Sequence, residues 1–127
     1  MKITKCLVFL LVFLPVLAFS GQISDVSANK IVDSIYKIEG GAKTKYPFGI
    51  KSINTYGNYE VARRICLNTI RNNYFRWQKT PKTNDFLQFL QTRYCPIGAK
   101  DDPKNLNSNW LSNLRKTLGK EFKITEK

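Results

Sequence analysis

Apolar residues recur along the chain in four blocks at helical spacing, separated by stretches rich in Gly, Pro, Asn and Asp. From Asp25 or Ser27 to Ile38, the residues Ile31, Val32, Ile35 and Ile38 return every three or four positions, and Gly40-Gly41 follows as a stop able to take a left-handed cap. A longer second helix is predicted over Tyr59 to Gln78, with Ala62, Cys66, Thr69, Ile70, Asn73 and Trp77 on one side. Thr83 or Asn84 can cap a third, which carries Phe86, Phe89 and Leu90 and ends at Cys95-Pro96. The fourth places Trp110, Leu111, Leu114 and Leu118 inward and stops at Gly119. Both Trp77 and Trp110 are assigned to the core.

The connections read differently. Residues 40–58 hold four glycines and Pro47, so they are expected to form a short loop or a β-hairpin excursion where a ligand could touch backbone. Residues 79–83 form a turn and Gly98 to Asn107 a second loop, while Lys120 to Lys127 reads as a frayed basic tail. The expected fold class is mainly α: a small helical domain with a loop or hairpin after its first helix.

The first twenty residues read as an address. Lys2 and Lys5 precede a 12-residue apolar run from Cys6 to Leu17, broken at Pro15, and Ala18-Phe19-Ser20 offers small residues where a signal peptidase cuts. Cleavage is expected after Ser20. A membrane span needs about 20 apolar residues, so an uncleaved anchor is the lesser alternative. Cys6 precedes the run, where a lipoprotein cysteine would follow it. The expected organisation is a signal peptide at 1–20, a domain at 21–118 and a basic tail at 119–127. The product is expected to be exported, periplasmic or secreted, and a monomer, with no stable membrane anchor after cleavage.

Charge and cysteine usage narrow the chemistry. The chain has 127 residues, 21 Lys and Arg against 9 Asp and Glu, and no His, which excludes Ser-His-Asp and Cys-His catalysis and His-containing zinc sites. No metal and no organic cofactor is expected. Removing residues 1–20 leaves 107 residues with 19 basic and 9 acidic side chains, a net charge of +10. Two cysteines remain, Cys66 and Cys95. An even count in a small exported chain reads as a disulfide, here tying helix two to the end of helix three and stabilising by roughly 3–4 kcal/mol. Two buried free thiols are the alternative, and without His a catalytic cysteine is disfavoured.

One carboxylate stands out. At about 100° per residue, Glu39 falls roughly 80° round from Ile31, between Ile35 and Val32 in the apolar stripe, whereas Lys30, Asp33, Ser34 and Lys37 share the opposite arc. The negative end of the helix dipole and partial burial both disfavour its ionised form, so its pKa is expected to be raised, as a general acid requires. The alternative is fraying at Gly40, which would turn Glu39 to solvent or to one of the many cations.

The segment Ile35-Tyr36-Lys37-Ile38-Glu39-Gly40-Gly41, with Tyr46-Pro47-Phe48-Gly49-Ile50 after it, resembles the catalytic region of lysozyme-like peptidoglycan-cleaving enzymes, which include lytic transglycosylases and phage-type muramidases. The pieces Phe86-Leu87-Gln88-Phe89-Leu90, Arg93-Tyr94-Cys95-Pro96 and Asn107-Ser108-Asn109-Trp110 resemble the C-terminal half of small exported bacterial and prophage proteins of that kind. The chain departs from the larger families at Glu39-Gly40, where they carry Glu-Ser, and lacks a glutamine-rich segment after Ile50. The resemblance implies a lysozyme-like helical domain that acts on peptidoglycan glycan strands, with Glu39 as the catalytic residue.

No second acid is well placed. Glu60 and Asp85 have capping explanations at the starts of helices two and three, and Asp33 lies on the face away from Glu39. A one-carboxylate mechanism is therefore favoured over the usual pair. Glu39 protonates the glycosidic oxygen, the substrate's N-acetyl group stabilises the cation-like centre, and Glu39 then acts as base. Attack by the sugar's 6-hydroxyl would give an anhydro product, and attack by water ordinary hydrolysis.

Tyr46, Phe48, Tyr56, Tyr59 and Tyr94 are candidate sugar-stacking residues, and Asn54 and Thr55 candidates for orienting the N-acetyl group. Plain packing is the competing explanation for each aromatic. The net charge suits an anionic envelope polymer. Arg63, Arg64, Arg71, Arg76 and Lys79, interleaved with Tyr74 and Trp77, would equally suit nucleic acid, but the export signal and the lack of a nucleic-acid module argue against it. The alternative function is a non-catalytic basic envelope-binding or interaction protein on the same scaffold.

Overall fold

A computed structural model describes residues 21–80 and 82–127. The expected signal peptide, residues 1–20, lies outside the described residues, as does Pro81 of the 79–83 turn. The fold is mainly helical: α1 (Asp25–Ile38), α2 (Tyr59–Lys79), α3 (Phe86–Tyr94) and α4 (Trp110–Leu118), with 3-10 turns at Gly41–Lys43 and Leu106–Asn109. No described helix is long and apolar enough to cross a membrane.

Local chemistry sets the helix limits. Ser24 Oγ accepts from the Ser27 N–H to open α1, Asn58 Oδ1 accepts from Val61 to open α2, and Asp85 accepts from Leu87 and Gln88 to open α3. The α3 cap is thus one or two residues later than expected; Thr83 Oγ1 instead accepts from the Asp85 N–H (3.2 Å) and steadies the cap itself. Gly40, at φ +93°, ends α1 as expected. The 40–58 segment is a loop opened by a 3-10 turn, and among the described residues it forms no hairpin.

Helix α1 is the centre of the molecule and packs against α2 and α4, while α3 closes on the same two helices. Its inner face, Ala28, Ile31, Val32 and Ile35, is fully buried with Cys66 and Ile70 of α2, Leu90 of α3 and Leu114 of α4. Ser34 is buried rather than exposed with Lys30, Asp33 and Lys37, because the apolar stripe is wide enough to include its edge. Phe48 enters this core from the loop.

The C-terminal segment is docked rather than frayed. Glu126 forms an antiparallel bridge with Ile23, the Ser24 N–H donates to the Thr125 carbonyl (2.8 Å), and the Lys127 N–H donates to the Gln22 carbonyl (2.8 Å). Thr125 Oγ1 lies 2.6 Å and 2.8 Å from the hydroxyls of Ser24 and Ser27, and the Tyr74 hydroxyl donates to Glu126. Phe122 and Ile124 pack on the core. The alternation Phe122, Ile124, Glu126 is that of an extended segment with one inward face, which the basic composition masks. Deleting residues 120–127 leaves buried Ser27 and Tyr74 without these partners, and is expected to lower the melting temperature by about 10 °C or more in a thermal denaturation scan.

Cys66 and Cys95 are free thiols rather than the expected disulfide. Cys66 faces the hydroxyl of Tyr94, the residue before Cys95, with Sγ 3.4 Å from Oη. Burial pushes each thiol up to about 12, so neither is a thiolate nucleophile at neutral pH.

Candidate active site

Glu39 is the last residue to follow the α1 helical path. Its N–H donates to the Ile35 carbonyl (2.9 Å), and the left-handed Gly40 then turns the chain away. The carboxyl is half-buried, as its place in the apolar stripe requires. The indole N–H of Trp110, the first residue of α4, donates to Glu39 Oε1 at 2.8 Å. Trp110 is only 5% exposed, so its N–H needs a protein acceptor, and Glu39 supplies it.

Two further groups hold this pair. The ring of Tyr94 stacks on Trp110, with centroids 5.5 Å apart and planes at 22°. The single hydroxyl hydrogen of Tyr94 goes to the Phe48 carbonyl, so the Cys66 thiol is the donor to Tyr94 Oη, giving a relay from Cys66 through Tyr94 to the loop backbone. Next in the loop, Gly49 adopts φ +72°, and a Cβ built on it would stand 2.7 Å from both Cδ and Oε2 of Glu39. A side chain at this position would push the carboxyl aside.

Burial raises the Glu39 pKa; the Trp110 hydrogen bond and the Lys51 ammonium oppose that shift without cancelling it. The carboxyl therefore holds its proton above the ordinary glutamate range. With Oε1 accepting from Trp110, the neutral acid would carry its proton on Oε2, the oxygen beside Gly49. Replacing Trp110 by Phe keeps the stack on Tyr94 but deletes the N–H. It is expected to push the Glu39 pKa further up, moving the alkaline limb of the pH–activity profile to higher pH and lowering the rate about tenfold.

Glu39 lies in an open groove of about 540 Å³. Gly49 and Ile50 of the loop, Ile65 and Thr69 of α2, Tyr94 of α3 and Asn107 are among the residues that line it. Asp102 holds the segment that carries Asn107: its carboxylate accepts from the N–H groups of Leu106 and Asn107 (2.8 Å each), and Asn107 Nδ2 donates to the Pro96 carbonyl (2.8 Å). Lys51, Arg93 and Asp101 stand exposed along the groove. Among the described residues no group of His, Cys, Asp and Glu could hold a metal ion.

Of the sequence-predicted binding residues, only Tyr94 joins Glu39. Phe48 is core, 1% exposed, because the loop needs an apolar anchor against Tyr36 and Tyr59. Tyr46, Asn54 and Thr55 line a different groove, and Tyr56 is 89% exposed at φ +52°. The sequence reading missed Trp110, Gly49, Lys51 and Asn107 as site residues. The signal for Trp110 was its indole N–H, which a buried tryptophan must satisfy, combined with the single carboxylate on an apolar stripe.

The basic cluster on α2 divides. Arg63 pairs with Asp33 (3.0 Å) and Arg71 with Asp25 (2.8 Å), while Tyr74 is buried and Trp77 turns toward Phe86. Those two aromatics do not share the solvent face with the arginines; Phe75, under the Lys79 ammonium (4.2 Å), does. Comparison of the chain with protein-family models, with curated proteins and with solved structures finds no match.

Proposed function

We propose that the chain is an exported enzyme that cleaves the glycan strands of peptidoglycan, with Glu39 as general acid and then base. The observation that carries this reading is a carboxyl with a raised pKa, fixed by Trp110 on Oε1 and opened by Gly49 on Oε2, in an open groove. In the first step the Oε2 proton passes to the glycosidic oxygen as the C1–O bond breaks. The acetamido oxygen of the substrate covers C1, which needs no protein nucleophile. The carboxylate left on Glu39 then takes a proton from the attacking oxygen, either the 6-hydroxyl of the same sugar or a water. Burial favours the neutral acid before the first step and makes the carboxylate a better base in the second. The net charge of +10 on residues 21–127 draws the protein to an anionic wall.

The test is digestion of purified peptidoglycan by residues 21–127, analysed by mass spectrometry. Anhydromuropeptides identify a lytic transglycosylase and reducing-end products a muramidase. Absence of products from folded protein overturns the enzyme reading in favour of a wall-binding role. Asp101→Asn is expected to keep cleavage within a few-fold; a loss of about 100-fold or more would make Asp101 a second catalytic carboxylate and replace the one-carboxylate mechanism.

A further inference from the structure

The structure assigns a second ligand site, on the groove between Tyr36 of α1, the start of α2 and the loop 42–58, and the ligand class it fits is an uncharged saccharide. This site goes beyond the Glu39 reading and does not depend on it. The groove, about 340 Å³, shares no lining residue with the Glu39 groove. The loop divides between them: residues 49–53 line the Glu39 side, while Asn54, Thr55, Gly57 and Asn58 line this one.

Its chemistry is that of carbohydrate recognition. Tyr36, Tyr46 and Tyr59 supply aromatic surface. The rings of Tyr36 and Tyr59 meet edge to face at 5.5 Å, and both rest on buried Phe48 at 5.3 Å and 5.7 Å, so that surface is rigid before any ligand arrives. Tyr59 nevertheless stays 42% exposed. Flat, fixed aromatic faces suit the C–H face of a pyranose. Asn54 Oδ1 accepts from the Tyr56 N–H (2.9 Å) and Asn58 Oδ1 from the Val61 N–H (3.1 Å). Those bonds set the amide orientations and leave both Nδ2 groups with no protein acceptor among the described residues. Both amides are exposed, and their oriented Nδ2 groups can donate to hydroxyl or acetamido oxygens, which a purely apolar ligand lacks.

Charge narrows the ligand further. No carboxylate lines the groove, so it does not suit a cation, and its one ammonium, Lys45, already lies over the Tyr46 ring at 5.6 Å. Beside the groove, Tyr56 holds a left-handed backbone unusual for a non-glycine residue, and its ring is 89% exposed among the described residues. A ligand contact would offset that strain.

The test is an amide-resolved NMR titration of the Glu39→Gln protein, which keeps this groove intact and removes the proposed acid, with chitotetraose and separately with cellotetraose. Shifts are expected at residues 44–46 and 54–59, and both Tyr59→Ala and the exposed Asn54→Ala are expected to weaken binding about tenfold with unchanged helical circular dichroism. Binding of both sugars assigns recognition to stacking and hydroxyls, and binding of chitotetraose alone adds the acetamido group; either supports the site. Shifts confined to Lys51, Arg93 and Asn107, or no binding at millimolar sugar, overturn it. The readout is binding to a protein without its acid, so a chain that failed to digest peptidoglycan would leave this result standing.

Discussion

Glu39→Gln is expected to abolish glycan cleavage and, in the same protein, to raise the melting temperature at neutral pH. Losing a general acid costs about 10² to 10⁴ in rate, and the other carboxylate lining the groove, Asp101, is exposed to solvent. The amide oxygen still accepts from the Trp110 indole, so the fold survives. The stability gain follows from proton linkage. Burial holds the native Glu39 pKa above its ordinary value of 4.5, so between 4.5 and the native pKa the folded state binds more protons than the unfolded chain. Wild-type stability therefore falls as pH rises through that window, and the deficit persists above it. Below pH 4.5 the carboxyl is protonated in both states and the two proteins should melt together. Thermal scans at acid and neutral pH measure this directly. Equal melting temperatures at neutral pH would mean that Glu39 carries no ionisation cost, and the general-acid argument would fail with it.

The same residues show what a sequence can and cannot carry. The four helices were legible because each is a run of apolar residues at a period of about 3.6, bounded by Asn, Asp, Ser or Gly with a backbone reason to be there. Glu39 was legible for the same reason, since its position round α1 follows from counting. Its partners were not, because Trp110 lies 71 residues away and touches Glu39 only once α4 has docked on α1. Periodicity reported that Trp110 is buried and was silent on what its N–H would meet. The aromatics of the 40–58 loop could be seen as exposed or anchored only after the loop path was known. Phe48 turned inward to the core while Tyr46 lines the groove beside Asn54 and Thr55. The C-terminal segment was misread for a different reason. Its pairing with residues 22–24 is a contact between the two ends of the domain, and lysine-rich composition gives no hint of it.

Gly49→Ala is expected to lower activity about 100-fold while costing only modest stability, and Gly57→Ala separates the two causes. Both glycines have nearly the same φ, +72° and +73°, in the region that L side chains rarely adopt, so an alanine at either meets a left-handed penalty of about 1–2 kcal/mol. They differ in what the new methyl meets. At Gly57 nothing lies within 4 Å, whereas at Gly49 the methyl would stand 2.7 Å from Glu39 Cδ and Oε2. One side must move, and the carboxyl, at the end of a flexible side chain, moves more readily than the Gly49 backbone, whose N–H is bonded to the Tyr46 carbonyl (2.8 Å). A displaced carboxyl loses the Trp110 bond and the position from which Oε2 faces the groove. Misplacement of a reacting group by about 1 Å is enough for a hundredfold loss. The two variants should therefore melt within a few degrees of each other but differ in peptidoglycan cleavage by about two orders of magnitude. If Gly49→Ala cleaves as well as Gly57→Ala, Glu39 does not act from the position that Trp110 and Gly49 hold.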